Sequence, residues 1–407
     1  MSLFSNITTA VTDTLAKEAF NRVAGRIQAG TLTVETPDGK KRVIESGGAG
    51  PTAILQIKDN AFYKRMVLHG EIGFGEAYVD GLCDSPNIVP VLELAIVNRR
   101  KVDLNKGPLK LFSRRRNQQL HKQRANTLEN SKHNIHAHYD IGNDFFKLWL
   151  DETMTYSSAV FEHPDQPLAD AQRNKYRRMC EKAEIASSDH VLEIGSGWGG
   201  FAIYAAQNHG CSVTTVTISK EQHDLAVERI KEAGLSDKIE VRLQDYREIE
   251  GQFDKIISIE MFEAVGSEFF ETFFMKCSDV LKPNGKLVMQ VITVPDEAFE
   301  FQKTGANWIQ KYIFPGGELP SVEEMERRNA RTGLVLTGTD EIGLDYAVTL
   351  RLWRQRFWEQ IDAVRAMGYD ERFVRMWDYY LAACEAGFLT RLTGDVQVAF
   401  EKRLPAA

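Results

Sequence analysis

An acid set just ahead of a glycine-rich turn is the most chemically suggestive stretch of this 407-residue chain: Val191, Leu192, Glu193, Ile194, Gly195, Ser196, Gly197, Trp198, Gly199, Gly200. A short apolar run with an acidic tip predicts a β-strand. Glycines at 195, 197 and 199 let the backbone turn sharply and approach a ligand without Cβ interference, and Phe201 to Ala206 supply the following helix. The spacing satisfies G-x-G-x-x-G through Gly195, Gly197 and Gly200, a weak match by itself. A nicotinamide-binding unit wants an acid roughly 20 residues past the glycines, at the end of the second strand, to hold the ribose. Here Ser212 to Ile218 ends without one. Glu193 can instead orient the loop and meet a cationic amino-acid portion, which suits S-adenosylmethionine. A nucleotide-binding oxidoreductase and a bare structural turn rank behind that reading.

The elements that must position these residues alternate regularly. Strands are predicted at His190–Ile194, Ser212–Thr217, Ile239–Leu243, Phe253–Ile259 and Gly285–Thr293, with helices near Phe201–Gln207, Lys220–Ala233 and Glu268–Val280. Short apolar strands between helical patterns imply a parallel sheet covered on both faces. Ligands then sit at the carboxyl ends of the strands, where Thr217, Ser219 and Gln222 follow the second strand and Asp245 and Tyr246 the third. The tail from Tyr346 to about Glu401 is rich in aromatics and helix formers.

Composition narrows the class. With 43% hydrophobic residues the chain can bury a large core, and its length predicts two or three units. A net charge of −7 argues against general nucleic-acid binding. Five widely spaced cysteines with no C-x-x-C pair fit neither a disulfide nor a zinc framework, which points to a reducing cytosol. The N-terminus lacks the pattern of a signal peptide, and no run approaches the roughly 18 apolar residues of a membrane span. Any lipid substrate is therefore expected to be met at a membrane surface. The segment Arg99 to Arg124 carries ten basic residues and one acid. It reads either as a solvated linker or as a hinge touching anionic headgroups, at about 1 kcal/mol per basic residue. His136 and His138 flank Tyr139, too few ligands to predict a metal.

Further motifs are Asn134 to Asp144, Thr155 to Ala159, Met261 to Gly266, Lys311 to Gly317 and, near the start, Gly73 to Tyr78. With the glycine loop they resemble the cyclopropane-fatty-acyl-phospholipid synthases, related to the mycolic acid cyclopropane synthases, over nearly the whole chain. The resemblance implies an α/β, Rossmann-like class I methyltransferase fold: a mostly parallel seven-stranded sheet with helices on both faces, plus a smaller N-terminal α+β domain. Implied boundaries are a lipid- or dimer-associated domain at 1–98, a basic linker at 99–125 and a catalytic domain at 126–407. The implied activity is transfer of a methyl group from S-adenosylmethionine to the double bond of an unsaturated phospholipid acyl chain, giving a cyclopropane ring. A cytoplasmic, peripherally membrane-associated homodimer is expected.

Residue by residue, the resemblance implies cofactor contacts at Tyr156, Ser157, Glu193, Gly195, Ser196, Gly197, Gly199, Thr217, Ser219, Gln222, Asp245 and Tyr246. An alkene is a poor nucleophile, so methyl transfer builds cationic character that aromatic faces can stabilise by about 2 kcal/mol when dry. Phe262, Trp308, Tyr312 and Phe314 are the candidate pocket rings. Ring closure also needs a base. In the family this is a bicarbonate, held by side chains matched here by Glu263 and Tyr346 and by a backbone group matched by Ile292. Ser158 and Gln290 stand where the better-known pattern has Cys and His, and Glu260 stands where it has Gly. Gln290 cannot become a cation, and Glu260 adds a second carboxylate. That addition implies either one raised pKa or a direct protein base. Glu76 and Tyr78 are expected, by resemblance, to dock the first unit on the catalytic one. The rival readings are methyl transfer without ring closure, giving a methylene, a methyl branch or a furan-fatty-acid precursor; methylation of a soluble small molecule; and a non-catalytic lipid-binding protein.

Overall fold

The computed structural model describes residues 13–99, 141–302 and 307–403. They fall into two compact units that are not consecutive in the chain. The first takes 13–99, 307–313 and 361–392; the second takes 141–302, 314–360 and 393–403. The boundary expected near residue 98 thus marks only part of the division, because two later segments return to the first unit. Nearly all of the basic segment, with His136 and His138, lies outside the described residues.

In the first unit, β1 (Thr31–Glu35), β2 (Lys41–Glu45), β3 (Thr52–Ile57) and β4 (Cys83–Asp84) form a sheet ordered β2-β1-β3-β4. Helices Ala61–Val79, Val89–Arg99 and Glu371–Leu389 belong to this unit, joined by the short helix Trp308–Tyr312. The Gly73–Tyr78 motif has packing duties here. The Trp308 ring lies so close to Gly75 that a Cβ would meet it at 2.5 Å, and its centroid is 4.6 Å from that of Tyr379. Tyr78 donates to Asp378 at 2.7 Å, while Glu76 accepts from Lys311 at 2.6 Å and Tyr312 at 2.7 Å. Both motif side chains therefore engage partners of their own unit.

The second unit is built on a seven-stranded, mostly parallel sheet. It comprises β5 (His190–Ile194), β6 (Ser212–Thr217), β7 (Ile239–Leu243), β8 (Phe253–Ile259), β9 (Leu281–Thr293), β10 (Leu334–Glu341) and β11 (Gly394–Lys402), ordered β10-β11-β9-β8-β5-β6-β7. Successive residues of a strand face opposite sides, and the core divides accordingly. Leu192, Ile194 and Ile256 pack with Phe270, Phe273 and Phe274 on one face. Val191, Val213 and Ile257 pack with Met179, Ala202 and Ile230 on the other. Such two-sided burial is why Val191–Leu192 of β5 and Ile256–Ile257 of β8 read as apolar runs, whereas the edge strand β7, Ile-Glu-Val-Arg-Leu, alternates. The tail departs from expectation: residues 394–402 form β11, antiparallel to both β9 and β10. Its inward set, Val396, Val398 and Phe400, alternates at the period of a strand.

Candidate active site

The glycine loop leaves β5 as expected. Gly195, Gly197 and Gly199 have φ of 99°, 47° and 84°, values open to glycine but costly for other residues. Gly195 N and Ser196 N both donate to Val216 O at 3.0 Å, which ties the turn to β6. At the end of β6, Ser219 caps the helix Lys220–Glu232 through Gln222 N, and the Thr217 hydroxyl donates to Gln222 Oε1 at 2.9 Å. After β7, the Asp245 carboxylate grips Arg247 through Nε at 2.8 Å and Nη2 at 2.7 Å and caps the turn that follows. Glu193 is buried, and its carboxyl is pushed up to about 8 by burial, against the opposing Thr215 hydroxyl and Lys175 charge. Its Oε2 and the Tyr246 hydroxyl are buried polar atoms with no hydrogen-bond partner among the described residues. An orphaned carboxyl oxygen on Glu193, two residues before a turn stripped of Cβ groups, fits an adenosine cofactor with a charged amino-acid portion, while the Tyr246 ring packs on Phe273.

A second cluster forms where β8 and β9 end. Glu260 leaves β8 with φ 48°, rare for a residue with a side chain. Its Oε1 accepts from Ser158 N and Gln290 Nε2, both at 2.8 Å, and its Oε2 from the Tyr346 hydroxyl at 2.7 Å. Gln290 also donates to Ser158 O at 3.2 Å and accepts from Gln397 at 3.1 Å, its register partner on β11. Ile292 lies two residues on, on the same face, and its N–H donates to Glu263 Oε1 at 2.5 Å. The other Glu263 oxygen is buried and unpartnered among the described residues. Asp395, on β11 opposite Ile292, is the third carboxyl of the group.

The loop carrying Tyr156, Ser157 and Ser158 is held by helix Leu168–Ala183. Gln172 donates to Ser157 O at 2.9 Å, Asn174 to Val160 O at 2.8 Å, and Lys175 to the Ser157 hydroxyl at 2.6 Å. Lys175 has no exposed surface. Burial brings its ammonium down to about 8, while Glu260, Asp151, Asp395 and Glu193 hold it up. Burial raises Glu260, opposed by Lys175 and the three donors. It pushes Glu263 up to about 8, with the Glu260 charge adding to the effect. Asp395 is held neutral well above the carboxylate range, by burial and then by the charges of Glu260 and Glu263. Like charges in a dry site cannot all ionise.

Four of the five expected base-site residues, Ser158, Gln290, Ile292 and Tyr346, thus contact Glu260 or Glu263. Ser158 contributes its N–H, since its hydroxyl donates to Ala159 O at 2.9 Å. The expected pocket rings are divided between the two units. Phe262 is stacked on Phe270, centroids 4.3 Å apart, inside the core. Trp308 and Tyr312 belong to the first unit. Phe314 is half-buried in the turn before Glu318, whose N–H donates to Glu263 O at 3.0 Å. The rings beside the base site are others: Trp353 lies 5.4 Å from Tyr156 and 6.1 Å from Tyr346, and Tyr156 also contacts Phe146 and Trp149. The spacing of Tyr346, Leu350, Trp353 and Phe357 along one helix face was the available signal. Lys175 and Asp395 gave none.

A seven-stranded α/β sheet with a glycine loop after its first strand and polar groups at neighbouring strand ends defines a methyltransferase of the S-adenosylmethionine-dependent class. The family model for mycolic acid cyclopropane synthetase matches residues 126–398, and the chain belongs to that family. It is 39% identical over 364 residues to tuberculostearic acid methyltransferase UfaA1 of Mycobacterium tuberculosis, covering 84% of this chain and 82% of that protein. It is 37% identical over 369 residues to the cyclopropane-fatty-acyl-phospholipid synthase of Escherichia coli (strain K12), covering 88% and 90%. Among solved structures, cyclopropane synthase MmaA2 from M. tuberculosis superposes with a TM-score of 0.63 at 29% identity, over 67% of this chain and 98% of that one. Mycolic acid cyclopropane synthase CmaA1 complexed with SAH and CTAB gives 0.62 at 28% identity, over 67% and 98%.

Proposed function

We propose that this enzyme delivers a one-carbon unit from S-adenosylmethionine to the double bond of an unsaturated phospholipid acyl chain and closes it to a cyclopropane ring. The observation that carries this reading is an adjacency. β5 and β8 are parallel neighbours, and Gly195 lies so near Met261 that a Cβ would meet its side chain at 3.0 Å. The cofactor loop therefore abuts the Glu260–Glu263 turn. The Escherichia coli relative, named for cyclopropane-fatty-acyl-phospholipid synthesis, supports the substrate class.

The cofactor, when bound, supplies an electron-poor methyl carbon on a sulfonium. Gly195 to Gly199 shape its cradle, Glu193 faces its cationic portion, and Tyr156, Ser157, Thr217, Ser219, Gln222, Asp245 and Tyr246 complete the set. Tyr156, Tyr346 and Trp353 form an aromatic wall beside the acyl cation and keep water away. Glu263 Oε2 takes a proton from the newly attached methyl, and the released C–H electron pair forms the third bond of the ring. A carboxylate with a raised pKa is a stronger base once ionised. The acyl chain is met at a bilayer surface, with residues 99–125 drawing the protein to anionic headgroups, and the enzyme works as a homodimer.

A second reading, methyl transfer that ends in a methylene or methyl branch, is favoured by the likeness to a tuberculostearic acid methyltransferase. Formation of S-adenosylhomocysteine from S-adenosylmethionine in the presence of mono-unsaturated phosphatidylglycerol vesicles, absent with saturated vesicles, is the expected result for either product. Equal turnover on both vesicles, or on a soluble acceptor alone, would discard the lipid assignment. Cofactor binding by calorimetry separates an enzyme from a lipid-binding protein.

A further inference from the structure

The hydrogen bonds around Glu260 say which anion this site is built for. A small oxyanion such as bicarbonate needs N–H or O–H donors when buried. The Ser158 N–H, the Gln290 amide and the Tyr346 hydroxyl all donate to the Glu260 carboxylate, and the Ile292 N–H donates to Glu263. The cradle is full: every one of these donors is already taken by a carboxylate of the chain, and Glu263 and Asp395 are buried beside Glu260, which leaves a further anion no donor of its own. Bicarbonate does not fit the residues present.

We propose that Glu260 is the resident anion of this cradle, so that the reaction runs on the protein's own carboxylates and neither binds nor needs a diffusible oxyanion. The inference deepens the proposed function and rests on it for the identity of the proton donor. Two carboxylates divide one task. Glu260, fixed by three donors, holds negative charge beside the developing cation and keeps Tyr346, Gln290 and the Ser158 loop in place. Glu263, fixed through one oxygen only, has the other free to accept the proton. Lys175, buried and bonded to the hydroxyl of Ser157 next to Ser158, supplies the positive charge that a neutral Gln290 cannot. The backbone points the same way: at φ 48° a glycine would sit without strain, yet a glutamate is held there.

The test uses the full chain with carbon-13 bicarbonate and carbon dioxide-stripped buffer. Wild-type protein should show no saturable bicarbonate binding by NMR, and its turnover on unsaturated vesicles should change less than about twofold when bicarbonate is added, small beside the tenfold that 1.4 kcal/mol represents. Glu260→Gly, compatible with the backbone, frees three donors. Its turnover should fall by about 10²-fold or more, as for loss of a preorganised charge in a catalytic site. It should bind bicarbonate and regain activity as bicarbonate is added. Saturable binding or several-fold stimulation in the wild-type protein overturns the proposal. So does a Glu260→Gly protein that keeps full activity without bicarbonate, or one that folds yet neither binds nor responds to it. If the variant does not fold, the wild-type binding and titration decide. If no vesicle supports turnover, the functional reading fails, while the binding measurement still judges the resident anion.

Discussion

The glycine loop after β5 and the cradle after β8 lie side by side yet are built in opposite ways. The loop is one contiguous stretch whose backbone does the work, with side chains pared away at Gly195, Gly197 and Gly199. The cradle is gathered from the Ser158 loop, β8, β9, the helix Gly343–Glu359 and β11, and it works through packed side-chain charge. The lesson is a division of labour: the loop sets how tightly a cofactor is held, and the cradle sets what happens to a proton. A substitution in one should leave the other's measurable nearly untouched.

The largest effect should come from Glu263→Gln. Turnover is expected to fall by roughly 10²–10⁴-fold, the usual range for a general base, with cofactor affinity by calorimetry changing less than about threefold. Equal losses in both would erase the distinction between the two regions. Gly199→Val should do the reverse. At φ 84° it sits in a backbone region closed to branched residues, where its Cβ would meet Ala226 at 3.4 Å, and strain of roughly 1–3 kcal/mol predicts about a 10–100-fold loss of cofactor affinity.

pH separates the regions next. A base that must be ionised gives turnover that rises with pH through about 8, the value to which burial pushes Glu263. Stability runs the other way. A carboxyl whose folded pKa is raised above its unfolded value contributes stability at low pH, and that contribution is lost as pH rises from about 4.5 to about 8. Urea unfolding should therefore find Glu263→Gln more stable than wild type at pH 8.5, by up to about 4 kcal/mol, with the difference vanishing by about pH 4. A smaller effect is expected from Lys175→Met. Without the buried ammonium that holds it down, the Glu260 carboxyl should protonate at a higher pH, read by carbon-13 NMR of the labelled side chain, and an unmoved Glu260 titration would take Lys175 out of the cradle. The smallest concerns the basic segment: adsorption to anionic vesicles should weaken as salt is raised.

What could be read from the sequence follows from how local each signal is. β5 to β8 were placed residue for residue because each is a short run rich in β-branched residues between helix and turn signals, with Glu193 set within the central β5 and alternation in the edge strand β7, and the glycine loop declares itself within ten residues. β11 had no strand of its own in the sequence reading, since the tail shows only a richness in aromatics and helix formers, and its pairing with β9 and β10 is what makes residues 394–402 a strand. Asp395 and Gln397 were missed with it. Lys175 was hidden because it lies on a helix of strongly polar sequence, where only tertiary packing distinguishes a buried ammonium from a solvated one. Phe262 misled for a related reason: its place beside Glu263 says nothing of which way its ring turns, and the ring turns into the core against Phe270. The resemblance supplied Tyr346 and Gln290, but not the finding that both serve Glu260.

The central assertion is that carbon from the sulfonium methyl ends in a ring on the acyl chain after one proton is taken from that methyl. Trideuteromethyl S-adenosylmethionine with mono-unsaturated phospholipid vesicles, followed by mass spectrometry before and after ozonolysis, tests it in one experiment. A product that has gained one carbon, keeps two of the three deuteriums and survives ozone is the expected outcome. Retention of all three deuteriums, cleavage by ozone, or no transfer to the lipid would contradict it.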